Sequence, residues 1–240
     1  MAMAEGGPEP PGRLRARSPA APSRPMALPL PPGLHPLGMG GGRDGLIRVP
    51  DNPALAGRPL PLIVMLHGAG SSAERSLRRL LPVADGALLV LPESAGATWD
   101  IIEEGGYGPD IARIDAALAG VFAAWPVDPR RLAIAGFSDG ASYAFSLALM
   151  NGDLFSHALI FSPGFAAPTC IVGKAAFFVS HGVLDEVLNI DHGTRRLVKR
   201  LSEGGWGLRY VEFDGGHTLP EPVLRAAWDF LNEPPEEATP

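Results

Sequence analysis

The segment "RLAIAGFSDGASYAFSLALM", residues 131–150, changes character at its centre. "RLAIAGF" (131–137) is an apolar run of strand length, whereas "GASYAFSLALM" (140–150) is made of small and apolar residues that suit a buried helix. Between them stands Ser138, with Gly136 and Gly140 two positions away on either side. The pattern Gly-x-Ser-x-Gly is weak by itself. With 30 glycines among 240 residues, it arises by chance in about one shuffled chain in five. Its meaning rests on the strand before it and the helix after it.

The same alternation extends in both directions. "GLIRVP" (45–50) reads as a short edge strand and "LPLIVMLHG" (60–68) as a strand buried on both faces. "SSAERSLRRLL" predicts a helix, "ALLVLPE" (87–93) a strand, and "GPDIARIDAALAGVFAAW" (108–125) a helix with Pro109 in its first turn. "HALIFS" (157–162), "AAFFVSHG" (175–182) and "LRYVEFDG" (208–215) complete the strands, with helices expected near 191–203 and 221–232. Strands separated by helices imply an α/β fold with a mostly parallel central sheet and helices on both faces. Residues 29–233 read as a single domain. Ten of the 26 prolines fall within residues 1–40, so 1–28 reads as a disordered Pro/Ala/Arg-rich tail, and 234–240 as a disordered C-terminal tail.

A serine at the sharp turn from a buried strand into a helix is a nucleophile elbow. A β-carbon on Gly136 or Gly140 would collide with the neighbouring strand or helix, and the helix N-terminus presents N–H groups where negative charge develops. A serine hydroxyl needs a histidine base and an acid to orient it. Asp185 lies in the loop after "FFVSHG", and His217 follows the last strand in "YVEFDGGHTLP", in the order Ser, Asp, His. His67 and His181 stand directly at strand ends before glycine, where a ring tends to bond to backbone. His35, His157 and His192 are placed less well, Asp191 is the rival acid, and Glu186 reads as solvated. The backbone N–H groups of Ala69, in "LHGAGSS", and of Asp139 are the expected oxyanion donors.

"LHGAG", "GFSDGASYAFSLAL", "SHGVLDEVL" and "GGHTLP" together resemble the phospholipase/carboxylesterase group of the α/β-hydrolases, which includes lysophospholipases and acyl-protein thioesterases. The resemblance spans residues 45–232. It implies Ser138, Asp185 and His217 as catalytic residues, with Ala69 and Asp139 as oxyanion donors. Where the thioesterase branch has glutamine after the serine, this chain has Asp139, as in a less characterised esterase branch. Only a short connection, "SPGFAAPTCIVGK", follows Phe161, too short for a helical cap domain. An open site is therefore expected, with Trp99, Tyr107, Phe165, Leu188 and Leu219, and also Phe137, as candidates to line its pocket.

The net charge of −6 and the lack of a basic run argue against nucleic acid as partner. One cysteine, Cys170, permits neither an internal disulfide nor a cysteine-based metal site, and no metal or cofactor is expected. Gly40, Gly42 and Gly45 fit a dinucleotide-binding pattern but lack the preceding strand it requires. No apolar run is of membrane-spanning length, and a cytoplasmic location is expected. Organelle targeting by the arginine-bearing tail is the less favoured alternative, because its prolines oppose the amphipathic helix of a transit peptide. The expected activity is carboxylic ester hydrolysis of a small-molecule substrate, with short to medium acyl chains. An acyl thioesterase or lysophospholipase, or a non-catalytic binding protein on the same scaffold, are the alternatives. The oligomeric state is left open.

Overall fold

Leu62, Val64 and Leu66 on strand β3 (Leu60–Leu66) point into one apolar core, while Ile63 and Met65 between them point into a second. That parity is the signature of a strand buried on both faces, and the rest of the molecule is arranged around it. The computed structural model describes residues 9–18, 30–40, 43–52 and 58–233.

Among the described residues the sheet has eight strands. Besides β3 these are β1 (Gly33–Pro36), β2 (Leu46–Val49), β4 (Leu88–Leu91), β5 (Val127–Phe137), β6 (His157–Phe161), β7 (Ala176–Gly182) and β8 (Leu208–Phe213). Their spatial order is β1-β2-β4-β3-β5-β6-β7-β8. The pairs β1–β2 and β2–β4 are antiparallel and all the others are parallel. Helices α1 (Ala73–Leu80) and α6 (Glu221–Asn232) cover one face, and α3 (Pro109–Ala124), α4 (Asp139–Met150) and α5 (Thr194–Glu203) cover the other. A single turn, α2 (Asp100–Glu103), precedes α3. Residues 162–175 contain no helix, so this connection does not cap the C-terminal edge of the sheet.

Every residue of α4 from Gly140 to Met150 is buried, as expected of a helix with no polar face. Its two internal serines are used as connectors. Ser142 Oγ accepts the N–H of Gly164 at 3.0 Å and Ser146 Oγ that of Ala167 at 3.0 Å, which fastens the loop after β6 to the helix.

Three features differ from the expectations. The segment 45–50 is not an edge, because β1 pairs with β2 on its outer side. Strand β5 begins at Val127, where Leu60 pairs with it across an irregularity in register. Most informative, residues 9–18 pack on the domain, although the proline content points to a tail. Leu14 is fully buried, with no regular secondary structure around it. The backbone polar groups of this strap are met by side chains from distant elements. Asn151 accepts the N–H of Leu14 at 2.8 Å and donates to Gly12 O at 3.0 Å, and Asp115 accepts the N–H of both Arg15 and Ala16 at 2.7 Å. Arg13 pairs with Asp153 through both carboxylate oxygens, at 2.7 and 2.8 Å, and this bond holds the Asp153 carboxyl below the usual range. Residues 1–8, 19–28 and 234–240, the remaining parts of the expected tails, lie outside the described residues.

Candidate active site

At the junction of β5 and α4 the chain turns so sharply that Ser138 adopts φ 58° and ψ −121°, a conformation rare for a residue with a side chain. The two flanking glycines make the turn possible. A β-carbon on Gly136 would lie 2.1 Å from Gly140 O, and one on Gly140 would lie 2.3 Å from Leu66 O and 2.4 Å from His67 O. These are rigid backbone atoms, so the clash has no side-chain escape. Gly140→Ala is expected to cost at least about 3 kcal/mol in urea unfolding. Gly120→Ala, inside α3 with open space around its Cα, should be neutral or stabilising by up to about 1 kcal/mol. Equal stabilities for the two variants would contradict this account of the turn.

The turn delivers Ser138 Oγ to a histidine. His217 Nε2 lies 2.9 Å from Ser138 Oγ, and its Nδ1 lies 2.6 Å from Asp185 Oδ2. His217 comes from the loop after β8 and Asp185 from the loop after β7, so the ends of β5, β7 and β8, with β6 between the first two, contribute one group each. The His217 ring also lies against Phe137, with centroids 4.8 Å apart, and the Arg79 guanidinium sits 5.1 Å from the Phe137 centroid.

No protein-family model and no curated protein sequence matches the chain. Solved structures do match. The esterase PE8 is 24% identical, with a TM-score of 0.63 over 78% of this chain and 96% of that one. The carboxylesterase of Bacillus cereus is 16% identical, with a TM-score of 0.61 over 80% and 94%. The S-formylglutathione hydrolase FrmB of Staphylococcus aureus is 16% identical, with a TM-score of 0.67 over 86% and 100%. The chain has an α/β-hydrolase fold.

Within that α/β-hydrolase fold, Asp185 is enclosed by donors. Its Oδ1 accepts the N–H of Val187 at 2.9 Å and of Leu188 at 2.8 Å, while Oδ2 faces His217 and, at 3.1 Å, His181 Nε2. Burial alone would raise its pKa. The bonds from Leu188, His217 and Val187 outweigh burial and hold the carboxyl below the usual range.

Ala69 follows β3 and Asp139 opens α4, and neither backbone N–H donates to a protein group among the described residues. Gly68 sits against the Ser138 turn, where an added β-carbon would lie 3.2 Å from Ser138 Cβ. The Asp139 carboxylate is directed to Thr98, whose hydroxyl donates to Asp139 Oδ2 at 2.8 Å.

His67, His35, His157 and Asp191 are occupied elsewhere. His67 Nδ1 lies 2.8 Å from the carbonyl of Gly68, and its Nε2 accepts the N–H of Ser94 at 3.2 Å. His35 bonds Pro31 O, and His157 bonds Ser156 at the opposite end of the sheet. Asp191 pairs with Arg195 at 2.8 Å.

Two of the expected pocket residues are core. Trp99 is fully buried and its indole N–H donates to His67 O at 2.8 Å. Leu219 is 7% exposed and packs with α6. Both belong to loops at the correct edge, but their side chains turn inward because the apolar surface beneath needs covering. Tyr107 donates to Ala167 O at 2.8 Å, Phe165 is 37% exposed, and Leu188 lies beside Gly164.

Sequence patterns gave no sign of the polar groups that brace the loops. Arg43 donates to Ser71 O at 3.0 Å and Gly96 O at 2.7 Å and also pairs with Glu93, whose other oxygen accepts the N–H of Ala73 at 2.6 Å. The segment 95–110 is latched by two acids. Asp110 accepts the N–H of Ala95 at 2.6 Å and of Asp100 at 2.8 Å, and Asp100 accepts that of Asp110 at 2.9 Å. Burial raises the pKa of Asp110. Among the described residues no cluster of three or more His, Cys, Asp or Glu could hold a metal ion, and no helix is long and apolar enough to cross a membrane.

Proposed function

We propose that this protein is a serine carboxylesterase of the phospholipase/carboxylesterase kind, cleaving small carboxylic esters through an acyl-enzyme. The observation that carries the reading is the unbroken chain from Ser138 Oγ to His217 Nε2 at 2.9 Å and from His217 Nδ1 to Asp185 Oδ2 at 2.6 Å, with the serine on a strained turn. The esterase and carboxylesterase neighbours support the same reading.

Ser138 Oγ attacks the ester carbonyl carbon as its proton passes to His217 Nε2. The carbonyl oxygen becomes an oxyanion that receives the N–H groups of Ala69 and Asp139, aided by the positive end of α4. Asp185 holds the Nδ1 proton, so the Nε2 lone pair faces the serine, and its charge stabilises the imidazolium. His217 then protonates the departing alcohol oxygen as the tetrahedral carbon collapses to the acyl-enzyme. Water repeats the sequence. It gives a proton to His217, attacks the acyl carbon, and releases the acid as Ser138 regains its proton.

A fluorophosphonate probe tests the activated serine. One equivalent of label on the peptide containing Ser138, with parallel loss of short-chain aryl-ester hydrolysis, is the expected result. An unlabelled protein, or one labelled at another residue, would refute the proposal. Cleavage of long-chain acyl thioesters or lysolipids faster than short esters would move the assignment to those activities.

A further inference from the structure

A second histidine shares the catalytic carboxylate. His181 lies at the end of β7, with a fully buried side chain. Its Nε2 lies 2.9 Å from Leu188 O and 3.1 Å from Asp185 Oδ2. A peptide carbonyl and an ionised carboxylate can only accept, so Nε2 must carry the proton. On the other side Nδ1 lies 2.7 Å from the hydroxyl of Thr194, the first residue of α5. Burial disfavours the charged ring. In the neutral ring Nδ1 is a lone pair, so the Thr194 hydroxyl, which also lies 3.1 Å from Pro163 O, turns its single proton to the closer ring nitrogen.

Resting on the proposed triad, we infer that His181 is a positioning residue for ester hydrolysis: its Nε2–H, held in that tautomer by Thr194, fixes Asp185 Oδ2 against His217 Nδ1. The carboxylate then has four donors, Val187 N–H and Leu188 N–H on one oxygen and His217 and His181 on the other. No rotation of the carboxyl group can improve on this set. The ring also draws negative charge from Asp185, which tempers the carboxylate's hold on the proton of His217. Asp185 and His217 face the Nε2 end of His181. On neighbouring β8 its register partner is Glu212, whose charge is taken by Arg195 at 2.7 Å. From α5 only the neutral Thr194 hydroxyl meets the ring.

The test compares His181→Leu, His181→Gln and Thr194→Val with the parent protein on a short-chain aryl ester. His181→Leu is expected to lower kcat about 10- to 100-fold, the worth of one hydrogen bond to a charged group, with KM within about twofold. The acid limb of its kcat/KM profile should move to higher pH. Glutamine places an amide N–H at the same reach and should restore kcat to within about threefold and return the limb. Thr194→Val should lower kcat a few-fold and shift the limb in the leucine direction. A folded leucine variant with parental kcat and acid limb overturns the inference, as does equal loss in the leucine and glutamine variants. If the leucine variant does not fold, a Thr194→Val protein with unchanged kcat and limb overturns it alone. Ser138→Ala run alongside separates the two levels, because turnover surviving there defeats the esterase reading whatever the His181 variants do.

Discussion

Ser138→Ala is expected to lower kcat on a short-chain aryl ester about 10⁵- to 10⁶-fold while leaving the protein folded. The loss is large because nothing else at the strand ends can take the serine's place. His67 is fixed by backbone groups at both nitrogens, and the Asp139 carboxylate is held by Thr98. Stability should be spared because alanine keeps the β-carbon, so the backbone conformation at φ 58° is no more strained than before. His217 loses one partner, but its side chain is 16% exposed and solvent can replace that partner. Circular dichroism and urea unfolding should therefore match the parent, with the change confined to turnover. Residual activity within tenfold of the parent would place the nucleophile elsewhere.

Asp185→Asn is expected to lower kcat about 10⁴-fold with little change in KM. The four donors around the carboxylate explain the size of the effect. If the asparagine oxygen keeps the N–H groups of Val187 and Leu188, its amide faces His217 Nδ1 and His181 Nε2 as a donor. His217 must then present Nδ1 as a lone pair and carry its proton on Nε2, toward Ser138, where it cannot accept another. If the amide flips, two backbone donors oppose it instead. The parent carboxyl also fixes a pH window. Because its folded-state pKa is depressed, its contribution to stability is present above the ordinary aspartate range and is lost as pH falls through the lowered value. Asp185→Asn should remove this part of the acid sensitivity, which unfolding measured across pH would show.

The sequence alone exposed the framework of this site because its elements are local. The apolar run 60–66, the strand entering Ser138 and the helix leaving it are each contiguous, and their periodicity needs no partner to be recognised. Chain order and strand-end position were enough to select Asp185 and His217, and the structure brings both to Ser138. What stayed hidden depends on contacts between residues far apart in the chain. Leu14 is held by Asn151, and Arg43 braces loops near residues 71 and 96. A lone arginine or leucine in a proline-rich stretch carries no periodic signal of such a role. Trp99 and Leu219, candidates for the pocket by loop position, pack inward for a related reason. Loop position gives the edge of the sheet on which a side chain starts, whereas the apolar surface beneath the loop decides which way it turns.

The strap at residues 9–18 changes where the useful beginning of the molecule lies. The proline-rich composition invites trimming to Met26 or beyond, as is done to remove an idle leader before crystallisation or assay. Such a trim would take away the fully buried Leu14 side chain from the core and strip Asn151, Asp115 and Asp153 of the groups they now hold. Preparations with and without the strap are therefore different proteins, and a weak or unstable short form would reflect the trimming and not the proposed site.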